Sequence, residues 1–165
     1  MNTGYILTGG NLGDRLENLQ KAKQYLGVAT GNIVRSSSIY ETESWGNNNQ
    51  PDFYNQVHII DTKLSAGQMM EKILKIEEQM GRIRAAKNAS RIIDIDILFF
   101  NADVINKKGL VIPHPEISNR RFVLTPLNEL SPGLIHPVLN KTIGELLSEC
   151  KDMLSVKPLK TLLPY

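Results

Sequence analysis

The sequence has almost no cysteine and no long hydrophobic run. Cys150 is the single cysteine among 165 residues, which excludes a disulfide framework and favours a reducing compartment. No stretch of 18 apolar residues occurs, and the N-terminus has neither the basic region nor the apolar region of a secretory signal. We therefore expect a cytoplasmic protein without a transmembrane segment.

The net charge is equally small. The chain has 19 Lys and Arg against 17 Asp and Glu, a formal net charge of +2, which is too small to favour nucleic acid or an acidic membrane as a partner. Three motifs are also absent: the P-loop pattern G-x-x-x-x-G-K-S/T, the H-E-x-x-H of zinc proteases and the G-x-S-x-G of serine hydrolases. These absences argue against the three corresponding classes of enzyme.

The sequence does contain an ordered series of strand and helix patterns. Its length suits one domain with a real core, so we expect a single domain over residues 1–165, with a tail at 155–165 of uncertain structure. The β-α-β-β-α-β order of the first half is typical of an α+β, ferredoxin-like fold, an antiparallel sheet with both helices on one face. The apolar periodicity predicts strands at 4–8, 32–40, 53–61 and 90–100 and helices at 14–26 and 66–80.

The second half predicts a C-terminal helical elaboration of that fold, with a hairpin at 103–112 and helical segments near 118–130 and 142–150. Helix starts are marked by polar caps. Asp14 can cap the first helix. Ser65 with Gln68, and Thr142 with Glu145, match the capping box, in which two side chains bond each other's backbone N–H groups.

Two carboxylates, Asp94 and Asp96, interrupt an otherwise apolar strand. Residues i and i+2 of a strand share a face, with Cα atoms roughly 6.5 Å apart. Two like charges at 4 Å repel by about 4 kcal/mol at an effective dielectric constant of 20, so a half-buried strand needs a cation beside them. Hard oxygen ligands without Cys or His suit Mg²⁺ better than Zn²⁺. The alternative is a strand end, where both carboxylates face solvent or pair with Arg91.

Cationic side chains are clustered around these carboxylates. Arg82, Arg84, Lys87 and Arg91 lie just upstream, and His114 and Arg120 follow. Paired carboxylates with several arginines are typical of a site for Mg²⁺ and a polyphosphate such as ATP, because metals bridge carboxylate and phosphate oxygens while arginine forks neutralise the transferred group. Recognition of RNA would instead need aromatic and cationic side chains on the central strands. We therefore expect no nucleic-acid partner.

Aromatic side chains lie in or beside the loops. Phe53 and Asn55 share a predicted strand face near the loop "ETESWG", and Tyr40, Trp45 and Phe122 are further candidates. A planar heterocycle is bound well between aromatic faces with an amide at its edge. The alternative for each ring is a place in the hydrophobic core.

Taken together, these motifs resemble the 6-hydroxymethyl-7,8-dihydropterin pyrophosphokinase family of the folate pathway, over residues 4–147. The most specific match is "KNASRIIDIDIL" at 87–98. "GGNLGD" resembles the family's G-S-N-L-G-D with Gly10 for Ser, and "YETESWG" resembles Y-x-T-x-P-x-G with Ser44 for Pro. "QPDFYNQV", "PHPEISNRRFVLTPLNEL" and "HPVLNKTIGELL" follow in the order of the family.

The resemblance implies Mg²⁺-dependent transfer of pyrophosphate from ATP to the hydroxymethyl group of the pterin, with release of AMP. We expect the protein to be a monomer. The resemblance also implies that Asp94 and Asp96 hold two Mg²⁺ ions and that Arg82 and Arg91 engage the phosphates. It places Glu77, Arg84, His114 and Arg120 at the ATP, and Thr42, Trp45, Gly46, Phe53, Asn55 and Phe122 at the pterin.

Two departures from the family pattern and two rival functions remain. Some members have an aromatic residue at the position of Asn88, where it helps to close a loop over the site, and Ser44 replaces a proline in the pterin loop. Loop closure is therefore expected to differ here.

A non-catalytic ferredoxin-like module that binds a small molecule would not explain paired aspartates with clustered arginines. A Mg²⁺-dependent nuclease would need a broader basic surface than a net charge of +2 indicates.

Overall fold

A computed structural model describes residues 1–43, 50–82 and 90–159 of the chain. Within these ranges, no helix has the length and apolarity needed to cross a bilayer. The elements in chain order are β1 Asn2–Gly10, α1 Arg15–Ala29, β2 Asn32–Ser36, β3 Tyr40–Thr42, β4 Phe53–Thr62, α2 Ala66–Gln79, β5 Asp94–Phe100, β6 Ile105–Lys107, β7 Leu110–Ile112, a 3-10 turn Ile117–Asn119, α3 Arg121–Leu130, α4 Ile143–Glu149 and β8 Val156–Pro158.

The main sheet has six strands in the order β5-β1-β4-β3-β8, and β2 pairs with β4 beside β3. All of its pairings are antiparallel. The strands β6 and β7 form a separate hairpin, as the sequence predicted for residues 103–112. The predicted α+β class with an antiparallel sheet is thus confirmed.

Two hydrophobic clusters lie on opposite faces of the main sheet, because successive strand residues point to opposite sides. Ile6 and Ile60 belong to the cluster that contains the buried residues of α1 and α2. Leu7 and Ile59, each next in the chain, belong to the cluster that contains those of α3 and α4. The helices α1 and α2 therefore share one face, and the C-terminal helices cover part of the other.

The helix caps that the sequence indicated are present. Asp14 accepts the backbone N–H of Glu17 at 3.1 Å at the start of α1. Ser65 caps α2 and Thr142 caps α4, each in a complete capping box. These short local signals fix where the three helices begin.

Three predicted boundaries were wrong. The strand expected at 32–40 is two strands, β2 and β3, separated at Ser37, whose hydroxyl oxygen accepts the N–H of Val57 at 3.0 Å in place of a carbonyl of the ladder. The last predicted strand begins at Asp94, not at 90, and α3 begins at Arg121 after a separate 3-10 turn. In addition, the tail contains a short strand, β8, that pairs with β3.

Candidate active site

A cleft opens on the α3 side of the main sheet, at the end where four neighbouring strands meet. In the register of these strands, Gly9 of β1 lies opposite Asn55 of β4 and Asp94 of β5, and Thr42 of β3 lies opposite Phe53 of β4. The helix α3 does not extend over this end of the sheet, so the side chains that face the cleft are left uncovered. The cleft is lined by Leu7, Gly9, Thr42, Glu43, Phe53, Asn55, Arg91, Asp94, Asp96, Arg120 and Phe122.

The floor of the cleft is a fixed polar layer. The side chain of Asn55 lies directly over Gly9, where a Cβ atom would collide with the Asn55 Oδ1 atom. Asn55 Nδ2 donates a hydrogen bond to Thr42 Oγ1 at 2.9 Å, and both side chains are buried. Gly9 is therefore required for close approach, and the orientation of the amide is set by its threonine partner.

The two aspartates share the face that lines the cleft, as the strand period predicted. Two guanidinium groups contact Asp94: Arg82 at 3.3 Å and Arg91 at 3.1 Å. The pairing with Arg91 was the alternative that the sequence left open, and it coexists here with a position in the cleft. Arg82 also contacts Glu77 at 3.5 Å. Arginine side chains are therefore the cations that contact Asp94.

The surroundings of Asp96 disfavour its charged form. Burial raises its pKa to about 7, and the nearby charges of Asp94 and Glu77 act in the same direction, against the arginines Arg120 and Arg82. A carboxyl group in this position is poised to exchange its proton for a cation. This is the behaviour expected of a ligand for a hard metal ion in a negatively charged site.

Glu77 lies behind the strand that carries the aspartates. It is 5% exposed, and its Oε2 atom accepts the backbone N–H of Ile95 at 2.8 Å. Because its other oxygen lies near Arg82, this carboxylate connects α2, β5 and the arginine. The role in ATP binding that the resemblance implies for Glu77 stays a prediction.

Two arginines lie beside the two phenylalanine rings of the cleft. The guanidinium carbon of Arg91 lies 5.9 Å from the ring centroid of Phe53, and that of Arg120 lies 5.8 Å from the centroid of Phe122. Among the described residues, the Nε atoms of Arg82 and Arg120 are buried without a hydrogen-bond partner. Buried, unpaired N–H donors of this kind are suited to receive anionic oxygens.

His114 lies close to this charged end without lining the cleft. Its Nδ1 atom accepts the backbone N–H of Glu116 at 3.1 Å, which leaves Nε2 to carry the proton of the neutral ring. Burial lowers the pKa of His114, helped by Arg120 and opposed by Asp94 and Glu116. The neutral imidazole can therefore act as a hydrogen-bond donor near neutral pH.

Sequence reasoning did not single out two side chains that the structure brings to the site. Glu43 lines the cleft, between the predicted pterin contacts Thr42 and Trp45. Asn11 is buried, and it contacts the chain on both sides of the cleft: its Nδ2 atom donates to Pro51 O at 3.0 Å, and its Oδ1 atom accepts the N–H of Arg91 at 2.9 Å. The motif "GGNLGD" was the available signal for Asn11. The predicted site residues Trp45, Gly46 and Arg84 lie outside the described residues.

The contributions of two buried groups to the pH dependence of the free energy of unfolding should cancel from roughly pH 4 to 6.5, because they act in opposite directions. His58 is fully buried and burial lowers its pKa from 6.5 to about 3, so below pH 6.5 the unfolded chain binds the extra proton. Stability is then lost as pH falls. The raised pKa of Asp96, from 3.8 to about 7, makes the folded chain bind the extra proton, so stability is lost as pH rises.

Urea unfolding in metal-free buffer tests this balance. His58→Gln should make the slope of the free energy of unfolding against pH more negative than that of the wild type, by about 1.4 kcal/mol for each pH unit. Asp96→Asn should change the slope in the opposite direction. If the plots of the free energy of unfolding against pH were parallel for the wild type and the two variants, both pKa shifts would be contradicted.

The fold and the cleft define an α+β protein that carries its carboxylates, arginines and aromatic rings in one site. A family model described as 7,8-dihydro-6-hydroxymethylpterin-pyrophosphokinase (HPPK) matches residues 5–132 of the chain. The chain belongs to this family. The resemblance seen in its motifs, and the enzyme class predicted from it, a pyrophosphokinase, are confirmed.

Curated relatives match over nearly the whole chain. The 2-amino-4-hydroxy-6-hydroxymethyldihydropteridine pyrophosphokinase of Aquifex aeolicus is 37% identical over 100% of this chain and 96% of its own length. The protein of the same name from Haemophilus influenzae is 34% identical over 95% of this chain and 98% of its own. The folic acid synthesis protein fol1 of Pneumocystis carinii is 33% identical, but this chain spans only 21% of its length.

Solved structures agree on the fold. Wild-type HPPK-DHPS of Plasmodium falciparum with pteroate superposes with a TM-score of 0.71 at 20% identity, and the match covers 90% of this chain and 44% of that one. At this level of identity the similarity concerns the arrangement of the backbone.

Proposed function

We propose that this protein transfers pyrophosphate from ATP to the hydroxymethyl group of 6-hydroxymethyl-7,8-dihydropterin and releases AMP, in a Mg²⁺-dependent step of folate biosynthesis. One observation carries the proposal. A single cleft holds two phenylalanine rings and a fixed amide at one side, and paired carboxylates with arginines at the other. A planar heterocycle and a polyphosphate can therefore bind next to each other.

The aromatic side of the cleft suits the pterin. Phe53 and Phe122 offer ring faces, and the buried pair Asn55 and Thr42 offers polar groups in a fixed orientation to the edge of the heterocycle. We assign these four residues to pterin binding. Trp45 and Gly46 remain candidates for the same role from the resemblance.

The charged side of the cleft suits Mg²⁺ and phosphate. Mg²⁺ in nucleotide sites is usually held by one or two carboxylates and completes its coordination with phosphate and water oxygens. Asp94 and Asp96 provide such a pair, and the described residues contain no cluster of three or more side chains that could hold a metal alone. The donor set thus fits two Mg²⁺ ions shared with ATP, which would supply Lewis-acid polarisation of the phosphate oxygens when bound.

The arginines orient the phosphates and stabilise their charge. Arg82 and Arg91 contact Asp94 through their terminal nitrogens, so their guanidinium groups can turn to phosphate oxygens by rotation of the side chains. Arg120 lies beside Phe122, and its Nε atom, 4.0 Å from Glu116 Oε2, has no hydrogen-bond partner among the described residues. With Glu77, Arg84 and His114, these residues are the proposed ATP contacts.

The chemistry needs alignment more than a strong nucleophile. The pterin hydroxyl oxygen attacks the β-phosphorus of ATP, the bond from that phosphorus to the oxygen bridging the α-phosphate breaks, and AMP leaves with that oxygen. The hydroxyl proton passes to water or to a carboxylate. Arginine donors stabilise the negative charge that develops on the phosphate oxygens, and the fixed floor holds the hydroxyl in line.

Release of AMP tests the proposal directly. Purified protein with ATP should form AMP only when both Mg²⁺ and 6-hydroxymethyl-7,8-dihydropterin are present. Release of AMP without the pterin would indicate a hydrolase, and binding of the pterin without any turnover would favour the non-catalytic module.

We also infer a ferredoxin-like classification for the main sheet and a monomeric state for the chain. In this interpretation β2 and β3 together replace the second strand of the ferredoxin-like order, and β8 is an added edge strand. The observed order β5-β1-β4-β3 supports the classification. Sedimentation of the purified protein would test the monomer.

Phe122→Ala should weaken binding of the pterin by about 1–3 kcal/mol, the range for loss of an aromatic stacking partner. Phe122 is half-buried at the mouth of the cleft, so its removal should not unfold α3. Calorimetric titration with 6-hydroxymethylpterin measures the effect. Tyr25→Ala, on the exposed side of α1, is the matched control, and equal affinities for the two variants would place Phe122 outside the pterin site.

A further inference from the structure

The first turn of α3 carries one wall of the cleft and is held by a residue distant in the sequence. Arg120, at the N-cap position, makes no capping hydrogen bond with its side chain. Instead Asp152 Oδ2 accepts the backbone N–H of Arg121 at 2.9 Å, and Arg121 Nε donates to the backbone carbonyl of Asp152 at 2.9 Å. Asp152 is 8% exposed. The wall that includes Phe122 is thus anchored to residue 152 from two directions.

The same segment continues to the opposite wall. Asp152 Oδ1 accepts the N–H of Leu154 at 3.0 Å, which fixes the turn that follows. Ser155 then donates its N–H to Glu43 Oε1 at 2.8 Å and accepts the N–H of Glu43 at 3.3 Å. Val156 pairs with Thr42 in the ladder of β8 and β3. Residues 152–156, which we call the strap, therefore join α3 to the strand that ends in the cleft.

The far end of α3 has a separate anchor. Glu129 accepts the hydroxyl of Tyr40 at 2.6 Å and the N–H of Ser38 at 2.9 Å, so the C-terminal turn of α3 is tied to the beginning of β3. At the N-terminal turn, Asp152 supplies the carboxylate that accepts the Arg121 N–H, and Arg121 Nη2 also donates to the Cys150 carbonyl at 3.1 Å. Loss of the Asp152 carboxylate should loosen that turn without detaching the helix, because the contacts of the Arg121 side chain with backbone carbonyls remain.

We propose that Asp152 is a positioning residue that, through the strap, sets the distance between Phe122 and the β3 wall and so determines the fit of the pterin ring. This inference rests on the proposed function. The stabilisation from stacking depends on the separation of the rings, and walls held in place before binding reduce the free-energy loss of ordering them. Asp152 acts through Phe122 and touches neither substrate.

The test compares Asp152→Ala with the wild type in calorimetric titrations of 6-hydroxymethylpterin and of the Mg²⁺ complex of a non-hydrolysable ATP analogue. The Kd for the pterin should rise at least about tenfold, while the Kd for the nucleotide, which has several other contacts, should change less than about threefold. In steady-state assays KM for the pterin should rise more than kcat falls. A general loss of stability would weaken the binding of both ligands, so it would not produce this difference between the two Kd values.

Three further variants supply the controls. Ser65→Ala removes the cap of α2, at the opposite end of the sheet, and should lower Tm without changing the pterin Kd. Asp152→Asn keeps one oxygen as acceptor and should restore much of the affinity. Ser155→Pro removes the N–H that Glu43 accepts, and its effect should not add to that of Asp152→Ala, since both cut the same strap.

Two outcomes would overturn the inference alone: wild-type pterin affinity in folded Asp152→Ala protein, or an equal loss in Ser65→Ala. If Asp152→Ala does not fold, Ser155→Pro decides, and unchanged pterin affinity in that folded variant would reject the strap. Wild-type protein that binds no pterin would overturn the proposed function together with this inference.

Discussion

Asp94→Ala and Asp96→Ala proteins should lose at least about a thousandfold in turnover, because each removes a carboxylate proposed to hold Mg²⁺ on the ATP phosphates. The two residues face one cleft from a single strand. No neighbouring side chain on that strand face can replace either oxygen, since Leu98 follows at the next position. Both variants should also bind the Mg²⁺–nucleotide complex more weakly. Calorimetry with a non-hydrolysable ATP analogue would measure this loss of affinity.

The aspartate variants should remain folded in metal-free buffer. At pH 8 Asp96→Asn should raise the free energy of unfolding by about 2–4 kcal/mol, because the raised pKa of Asp96, near 7, means that its charge is unfavourable in the folded state. Asp103→Ala, at an exposed position, is the matched control for loss of an aspartate. Near-wild-type turnover in folded Asp94→Ala or Asp96→Ala protein would refute the metal assignment.

Arg82→Ala should lower kcat by about a hundredfold and change the Kd for the nucleotide far less. Arg82 is shared between Glu77 and Asp94, and its buried Nε atom has no hydrogen-bond partner among the described residues. We expect its best contacts to form with the phosphate oxygens as charge develops on them, so that it stabilises the transition state more than the bound substrate.

Arg82→Lys separates charge from geometry. Lysine keeps the positive charge but cannot donate a planar pair of hydrogen bonds, so only a small part of the rate should return. Single-turnover measurements with saturating nucleotide isolate the chemical step. If Arg82→Ala weakened nucleotide binding alone and left that step unchanged, Arg82 would be a docking residue.

Local sequence patterns predicted the parts of the structure that depend on neighbours in the chain. The shared face of Asp94 and Asp96 follows from the period of a strand, and the helix starts at Ser65 and Thr142 follow from capping boxes. The positions of Phe53 and Asn55 beside Thr42 also agree with the predicted strand faces.

The remaining features depend on contacts between distant segments, which no local pattern contains. The break between β2 and β3 is set by Ser37 bonding to β4, and β8 forms only because β3 offers an open edge. Glu43 and Asp152 are connected through residues 154 and 155, and no local pattern pairs them. Within "GGNLGD", Gly9 is explained by the approach of Asn55 from the neighbouring strand.

The cleft has a floor and walls of different mechanical character. Its floor is centred on β1 and β4, which are flanked by strands on both sides, whereas its walls are formed by the end of β3 beside the short strand β8 and by one helix turn. A substitution in the floor must perturb the centre of the fold. Substitutions in the walls can change the shape of the site at little risk to folding, so divergence in ligand preference among descendants of such a protein should accumulate in the walls first.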